Sequence, residues 1–233
     1  FAFSHLGDAE MVIGRTSSGI EKIEDLKGKT VGYSSGTSSE TMLNLALTQA
    51  GLTMDDIVAY DMETSNMVTA MVSGTLDACS TWSPNTWQIL GAMDDAVRLA
   101  TPMDYIDISV AISSFIVMDS FLKEHRDVVV RFTRALMKAM DYAAPEEARQ
   151  EVGEWVAKQL ATDYANVEPS LHDGNYLTGK QMYEYVKDGT VEGYYETQRQ
   201  ELIAAGNADE STKVANYVMF DVMLEAGESL YEN

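Results

Sequence analysis

The segment at residues 34–40 carries five hydroxyl side chains, in the order Ser34-Ser35-Gly36-Thr37-Ser38-Ser39-Glu40. A short apolar run precedes it and an amphipathic run follows it, so we expect a loop between the carboxyl end of a strand and the start of a helix. Ligands of open α/β sheets bind at such strand ends. Free N–H groups and the positive end of the helix dipole also attract anions there. We therefore predict that Ser35, Thr37, Ser38 and Ser39 bind a sulfonate, carboxylate, nitrate or phosphate group.

The same loop also fits a helix-capping interpretation. Thr37 would be the N-cap residue, and the side chain of Glu40 would reach back from the third helical position. The two interpretations are compatible, because capping leaves the N–H groups of Ser38 and Ser39 free. The loop lacks the GxxxxGK[ST] signature of phosphate-binding loops, so it indicates an anion site of the general helix-start kind.

Two further strand ends could contribute to this site. Glu63 and Thr64 repeat the layout of the first loop at the next strand-to-helix junction, although such a pair is more often a simple helix cap. Trp82 is the last residue of the next strand, where its ring could form the wall of a pocket, although a buried core position is more common for tryptophan. We include Glu63, Thr64 and Trp82 among the predicted ligand-binding residues.

The sequence lacks the usual signatures of catalytic and metal centres. It contains no GxSxG elbow, no dinucleotide fingerprint and no paired carboxylates at a telling spacing. The single cysteine, Cys79, excludes an internal disulfide and a clustered-thiolate metal site. His5, His125 and His172 are too scattered to suggest metal ligands. We therefore expect a non-catalytic protein with no metal and no other cofactor.

The chain is strongly acidic, with 37 Asp and Glu residues against 16 Lys and Arg residues and a net charge of -21. This charge repels nucleic-acid phosphates and anionic lipid head groups, so we expect neither as a partner. Hydrophobic residues make up 45% of the 233 residues, which is enough to bury a sizeable core. No stretch approaches the ~20 apolar residues of a membrane-spanning helix. We expect a soluble monomer.

Hydrophobic patterning predicts an α/β first part and a mainly helical second part. Strands and helices alternate up to residue 82, which predicts a parallel-rich sheet flanked by helices. A long helix is predicted after residue 119, with Val128, Phe132, Leu136 and Met140 on its buried face. The predicted strands are 9–14, 30–34, 57–60, 76–82 and 109–118, and the predicted helices of the first part are 40–50 and 66–73.

Three stretches of the chain match the pattern of a known family. Ile23–Ser34 reads IEDLKGKTVGYS, Gly74–Ala78 reads GTLDA with Trp82-Ser83-Pro84 after it, and Phe121–His125 reads FLKEH. These motifs resemble the sulfonate, nitrate and taurine family of solute-binding proteins of ABC transporters. The resemblance covers essentially the whole chain. It implies the two-lobed type 2 periplasmic-binding-protein fold, an α/β fold with a hinge of two crossovers.

Within that family the sequence is most similar to the taurine-binding type. The similarity lies in Ser4–Glu10 (SHLGDAE), in Gly174–Thr178 (GNYLT) and in the acidic, aromatic C-terminal helices. Ser113 is a departure, because the taurine-binding pattern has an acidic residue at that position. Family members also have further βα units before the position that matches Phe1. The resemblance therefore implies that lobe 1 is incomplete at its N-terminus in this chain.

The resemblance also implies where the lobes and the ligand lie. Lobe 1 would consist of residues 1–16 and 112–233, and lobe 2 of residues 17–111, with hinges near residues 14–17 and 109–114. A small anionic or zwitterionic solute would lie between the lobes and stabilise their closure, as in a Venus flytrap. The expected ligand contacts are the sulfonate with Thr37, Ser38 and Ser39, and the ammonium with Glu10 and, more weakly, with Ser113.

The implied function is that of the extracytoplasmic solute-binding subunit of an ABC importer, periplasmic or tethered outside the membrane. It would deliver a small sulfonate such as taurine to the membrane permease. One alternative is the same fold binding nitrate or a carboxylate. A second is an enzyme of the pyrimidine-precursor synthase type, but such enzymes carry a cysteine-rich segment and here Cys79 stands alone. A sensor domain of a transcription regulator would need a DNA-reading helical module and a basic face.

Overall fold

The computed structural model describes residues 1–204, 206 and 208–232. Its Cα atoms fall into two compact units, unit 1 (Phe1–Gly7 with Asp107–Asn233) and unit 2 (Asp8–Ile106). Each unit contains both strands and helices, so the predicted α/β class is confirmed. Within the described residues, no helix is long and apolar enough to cross a membrane.

The strands and helices follow the predicted alternation through the first part of the chain. The described strands are β1 (Ala2–Gly7), β2 (Glu10–Arg15), β3 (Thr30–Tyr33), β4 (Val58–Asp61), β5 (Ala78–Trp82), β6 (Ala96–Ala100), β7 (Ile112–Phe115) and β8 (Gly174–Tyr176). The described helices are α1 (Ser38–Gln49), α2 (Thr64–Ser73), α3 (Asn85–Ala92), α4 (Asp119–Glu124), α5 (Arg126–Ala143), α6 (Glu146–Leu160), α7 (Gly179–Lys187), α8 (Thr190–Ala204) and α9 (Phe220–Tyr231).

Unit 2 contains a five-stranded sheet with strand order β4-β3-β5-β2-β6. The β3-α1-β4-α2-β5 run makes β3 parallel to both β4 and β5, whereas β2 is antiparallel to β5 and β6. Side chains alternate along β2, so Val12 joins one core and Met11 and Ile13 join the other. The first core contains Leu43 and Leu47 of α1. The second core contains Met67 and Met71 of α2 and Ile89 of α3.

The first boundary between the units differs from the one implied by the sequence resemblance. Residues 1–16 were expected in lobe 1, but β2 pairs with β5 and β6, so the chain enters unit 2 at Asp8. Gly14, expected near a hinge, lies inside the sheet, where a Cβ atom would come within 2.5 Å of Ile20 Cγ2. The chain leaves unit 2 after Ile106 rather than after residue 111. An apolar run predicts a strand but does not identify its partners.

Unit 1 contains a three-stranded sheet with strand order β7-β1-β8, in which β1 is antiparallel to both neighbours. Among the described strands, parallel pairing is therefore confined to unit 2. Helices α5, α7 and α9 pack on one another, each with a fully buried methionine, Met137, Met182 and Met223. The β-rich run predicted at residues 109–118 is a strand only over β7, and Ile116 and Met118 beyond it are exposed.

The long helix predicted after residue 119 is two helices, α4 and α5, which meet at His125. The prediction that Val128 and Phe132 lie on the buried face of this helix was wrong, because their side chains are 37% and 47% exposed. Residues four apart advance 400° around a helix, so a row of them drifts away from one face. Phe132 instead contacts the rings of Phe1 and Phe115, with centroids 5.6 and 5.7 Å apart. The buried residues of α5 are Val129, Val130, Thr133 and Met137.

Candidate functional site

The last residues of β3, β4 and β5, the residues that follow these strands, and the first residue of β2 form one border of the unit 2 sheet, which we call the carboxyl edge. The parallel strands β3, β4 and β5 all end there. Because β2 runs antiparallel to β5, Glu10 lies opposite Trp82 at the same edge. The carboxyl edge therefore holds every predicted ligand-binding residue except Ser113, namely Glu10, Ser35, Thr37, Ser38, Ser39, Glu63, Thr64 and Trp82.

Thr37 is the N-cap residue of α1, as the sequence predicts. Its Oγ1 accepts the N–H of Ser39 at 3.2 Å and donates to the carbonyl oxygen of Ser34 at 2.7 Å. The carboxylate of Glu40 also reaches back, but it accepts the N–H of Gly36 at 2.7 Å rather than that of Thr37. These bonds hold the loop in a fixed conformation at the start of the helix.

Ser39 has a different role from the predicted ligand contact. Its side chain is fully buried, and its Oγ donates to the carbonyl oxygen of Ser80 at 2.6 Å and accepts the N–H of Ser34 at 3.2 Å. Its own N–H is taken up by Thr37, so the expectation that capping leaves this group free was wrong. Ser39 therefore anchors the loop to β5 through its buried side chain, and neither its hydroxyl nor its N–H is available to a ligand.

Ser38 is the residue of this loop that remains open to a ligand. Its side chain is exposed, and no hydrogen bond within the described part of the chain uses the N–H of Thr37 or of Ser38. Ser35 is also exposed, but its N–H donates to Oδ1 of Asp61 at 2.9 Å. Asp61 ends β4 and was not singled out from the sequence. Its carboxylate holds the first part of the loop, so of the residues predicted to bind an anion here, Thr37 and Ser38 are the ones whose N–H groups are left without a hydrogen bond in the described part of the chain.

The predicted residues at the two other strand-to-helix junctions, after β4 and at the end of β5, differ in how far their side chains are buried. Glu63 is exposed at the start of α2 and makes no capping bond with its side chain, while Thr64 is half-buried. Trp82 is also only half-buried, so it does not occupy the buried core position that is more common for tryptophan. Nearby, the hydroxyls of Thr81 and Thr86 are fully buried without a partner in the structure. The sequence analysis did not single out either threonine. Thr81 lies two residues after Cys79 in β5, so the two side chains are on the same face of the sheet, and both are buried.

Carboxylates give the carboxyl edge a negative field beside the start of α1. Glu10 is half-buried, and Asp61 and Glu63 are exposed. Asp8, just before Glu10, accepts the N–H of Met103 at 3.1 Å, which ties the start of β2 to the segment after β6. A helix start favours an anion, whereas the carboxylates favour a cation. The edge is therefore suited to a ligand that carries both charges. Ser113, in contrast, lies in β7 of unit 1, opposite His5.

The sequence profile of the NMT1/THI5-like family matches residues 8–148. That match spans more than half of the 233 residues. The chain belongs to the NMT1/THI5-like family. A protein of Brucella abortus named as a binding protein is 29% identical to this family member over 222 residues, which are 94% of this chain and 68% of that protein. An Escherichia coli K12 protein named as an aliphatic-sulfonate-binding protein is 36% identical over 76 residues, 33% of this chain and 24% of the relative.

Solved structures share the fold of this NMT1/THI5-like protein. The periplasmic sulfonate-binding protein SsuA of Methylobacillus flagellatus has a TM-score of 0.75 at 16% identity, covering 99% of this chain and 69% of that one. SsuA of Escherichia coli has a TM-score of 0.58 at 20% identity, covering 84% and 65%. The desulfurization enzyme DszB has a TM-score of 0.67 at 14% identity, covering 97% and 78%. The predicted periplasmic-binding-protein fold is confirmed, and the chain spans about two-thirds of the length of the binding proteins.

Cys79 is the one thiol of this NMT1/THI5-like chain. It is fully buried in the second core of unit 2, and burial raises the pKa of the thiol to about 12. A thiol becomes a nucleophile only as the thiolate, so Cys79 is not equipped for covalent chemistry. The described residues also contain no group of three or more His, Cys, Asp or Glu side chains that could hold a metal ion.

Proposed function

We propose that this chain is the ligand-binding part of an extracytoplasmic solute-binding protein that captures a small sulfonate, such as taurine, for an ABC importer. The observation that carries the proposal is the presence of the open start of α1 and the carboxylate of Glu10 on one carboxyl edge. The first suits the anionic end of a zwitterion and the second suits its cationic end. The names of the Escherichia coli and Methylobacillus flagellatus proteins support a sulfonate as the anion.

The anionic end of the ligand would bind at Thr37 and Ser38. Their backbone N–H groups lie at the positive end of the α1 dipole, and the exposed hydroxyl of Ser38 adds a third donor. The capping bonds of Thr37 and the buried hydroxyl of Ser39 already hold this loop. Little conformational entropy is then lost when the anion binds, which favours affinity.

The cationic end of the ligand would bind beside Glu10. A half-buried carboxylate interacts with an ammonium group more strongly than an exposed one, because water screens it less. Trp82 lies opposite Glu10 on β5, and the face of an indole ring also attracts a cation. In this role the protein would deliver its solute to a membrane permease, from the periplasm or from the outer side of the membrane.

Isothermal titration calorimetry with taurine, ethanesulfonate and nitrate tests the proposal. The Ser38→Asp variant introduces an acidic residue, which the first turn of a helix accepts, but it places a negative charge against the bound anion. We expect taurine binding to the unmodified protein and at least a roughly tenfold loss in the variant, since one like charge at close range in partly screened surroundings costs more than 1.4 kcal/mol.

Ser120→Asp is the matched control, because it adds the same charge in the first turn of α4 in unit 1. It should bind taurine as the unmodified protein does. Stronger binding of nitrate than of either sulfonate, or undiminished binding by Ser38→Asp, would contradict the proposal. Mass spectrometry of taurine after incubation tests the enzymatic alternative, since a solute-binding protein returns its ligand unchanged.

A further inference from the structure

Two carboxylates of unit 2 are hydrogen-bonded to the backbone of the loop between β3 and α1. Asp61 Oδ1 accepts the N–H of Ser35 at 2.9 Å, and Glu40 Oε2 accepts the N–H of Gly36 at 2.7 Å. Successive backbone N–H groups of this kind form the concavities in which proteins bind oxyanions. In this loop the chain's own carboxylates already occupy two of those donors, so each brings a full negative charge to the place where an external anion would bind.

The donors left for a ligand in this loop are few and neutral. They are the N–H groups of Thr37 and Ser38 and the hydroxyl of Ser38, which have no partner among the residues that the structure describes. A sulfonate group has three oxygens and shares one negative charge among them, so three donors suit it. Sulfate has a fourth oxygen and a second charge, for which this loop provides no further donor.

No cationic side chain comes from the segment that builds the carboxyl edge. Residues 30–97, which include β3, β4, β5 and the helices α1, α2 and α3, contain eight Asp or Glu residues and no Lys, Arg or His. The ionisable groups at the edge and in the first turn of α1 are all carboxylates, those of Glu10, Glu40, Asp61 and Glu63. An anion at the start of α1 is therefore bound by dipoles and lies in a negative field.

Three of the basic residues of unit 2 lie at the opposite border of the sheet. Lys29 directly precedes β3, and Lys27 forms an ion pair with Asp56, before β4, at 3.0 Å. Arg15 ends β2, the antiparallel strand that begins at the carboxyl edge with Glu10. These three positive charges are therefore separated from the start of α1 by the length of a strand, and they offset its negative surroundings little.

We propose that the carboxylates of Glu40 and Asp61 determine specificity by excluding divalent oxyanions, such as sulfate, from the start of α1. The inference rests on the proposed function and narrows its ligand class to solutes whose anionic end carries a single charge. A helix start supplies the equivalent of about half a positive charge, whereas these carboxylates bring two full negative charges. Shape alone does not separate the anions, because sulfate and a sulfonate present the same three oxygens on a tetrahedral sulfur.

Calorimetric competition against bound taurine gives the affinities for methanesulfonate and sulfate. Methanesulfonate has a methyl group where sulfate has its fourth oxygen, so the two anions differ mainly in charge. We expect sulfate to bind at least roughly tenfold more weakly, since several carboxylates repel its second charge.

Asp61→Asn and Glu40→Gln remove one charge each but keep a carbonyl oxygen that can accept the N–H of Ser35 or Gly36. Each variant should raise the ratio of sulfate affinity to methanesulfonate affinity about 2- to 6-fold. This is the effect of one unit charge at roughly 8 Å in partly screened surroundings. The double variant should show about the product of the two effects, since both charges act on the same anion.

Asp55→Asn is the matched control, because it removes an exposed carboxylate before β4, at the opposite border of the same sheet. It should leave the ratio unchanged. If Asp61 and Glu40 only order the loop, their variants weaken both anions equally, and a constant ratio overturns the inference while the proposed function stands. Sulfate that competes as well as methanesulfonate overturns it too. Failure of the unmodified protein to bind taurine overturns the proposed function and this inference with it.

A second measurement uses the unmodified protein alone. Methyl phosphate carries one charge below its second pKa of about 6 and two charges above it, whereas methanesulfonate carries one charge throughout. The ratio of methyl phosphate affinity to methanesulfonate affinity should therefore fall as the pH rises from about 5 to about 7. A ratio that stays constant or rises over this range overturns the inference.

Discussion

Ser39 and Ser80 exchange two hydrogen bonds between α1 and β5. Oγ of Ser39 donates to the carbonyl oxygen of Ser80 at 2.6 Å, and Oγ of Ser80 donates to the carbonyl oxygen of Ser39 at 2.8 Å. Both side chains are fully buried. This exchange fixes the first turn of α1 on the sheet at the place where the anion is proposed to bind.

Replacing either serine by alanine should lower the free energy of unfolding. Each change leaves a buried carbonyl oxygen without its donor, at a cost of about 1–3 kcal/mol. The double variant should lose less than the sum of the two single losses, because the serines belong to one network. Urea denaturation of the four proteins measures this coupling. Ser73→Ala, on the exposed end of α2, is the control and should change stability little. Strictly additive losses would show that the two bonds act separately.

Glu10→Gln should weaken taurine binding selectively. Loss of one partner of a desolvated charge pair costs about 2–5 kcal/mol, which corresponds to roughly tens- to thousands-fold in affinity. Ethanesulfonate has no ammonium group and should lose little. Calorimetry with both ligands measures the difference, and Glu21→Gln at an exposed position of unit 2 is the control. Equal losses for the two ligands would mean that Glu10 supports the fold, and no loss for either would place it outside the site.

Cys79 should not react with a thiol reagent such as DTNB in the native protein. The side chain is fully buried and burial raises its pKa to about 12, so at neutral pH almost no thiolate exists. One thiol per chain should become reactive in urea, along the same transition as the loss of circular dichroism. Ser35→Cys, at an exposed position, is the positive control and should be labelled in the native state. Rapid native labelling of Cys79 would contradict its burial.

Asp77→Asn should destabilise the protein at neutral pH. The Asp77 carboxylate accepts bonds from the N–H and hydroxyl of Thr30 at 3.0 and 2.8 Å and from the hydroxyl of Ser18 at 2.8 Å. The amide NH₂ of an asparagine would oppose these donors, and we expect a loss of about 1–3 kcal/mol. Asp94→Asn, at an exposed position, is the control and should have little effect.

The effect of Asp77→Asn should also depend on pH. Burial acts to raise the pKa of Asp77, but the bonds from Thr30 and Ser18 outweigh it, so the folded-state pKa lies below its usual value. The carboxylate therefore contributes its full stabilisation above a pH of about 3.9, the unfolded-state pKa. This contribution is lost as the pH falls through the folded-state pKa. Denaturation at a series of pH values should show the variant and the unmodified protein converging in acid. A constant difference would contradict this account.

The carboxyl edge could be predicted from the sequence because it depends on local order. Strand-to-helix alternation gives parallel strands, and parallel strands end at one edge, which brings Ser35, Thr37 and Thr64 together without any knowledge of distances. The N-cap role of Thr37 was equally local. Glu10 was different. Its place opposite Trp82 depends on the antiparallel pairing of β2, which no spacing near residue 10 reveals.

The role of Ser39 could not be predicted for the same physical reason. Its partner Ser80 is remote in sequence, and a serine in a helical first turn looks identical whether its hydroxyl faces solvent or the sheet. The buried face of α5 also required the tertiary structure, since Phe132 fits an apolar row but lies outside the core. The sequence gives only a weak indication for Asp61, since it is a polar residue at the end of a strand. Its hydrogen bond to the N–H of Ser35 depends on the pairing of β3 with β4.

The antiparallel position of β2 also has a consequence for how the protein folds. Residues 10–15 lie between β5 and β6, so they pair with residues 78–82 and 96–100. Pairing across such a long loop loses chain entropy before it gains contacts, and proteins rich in such pairings fold slowly. During synthesis the ribosome must release residue 100 before β2 has both of its neighbours, β5 and β6. The register that sets Glu10 opposite Trp82 is therefore completed late, after the local β3-α1-β4 segment has had time to form.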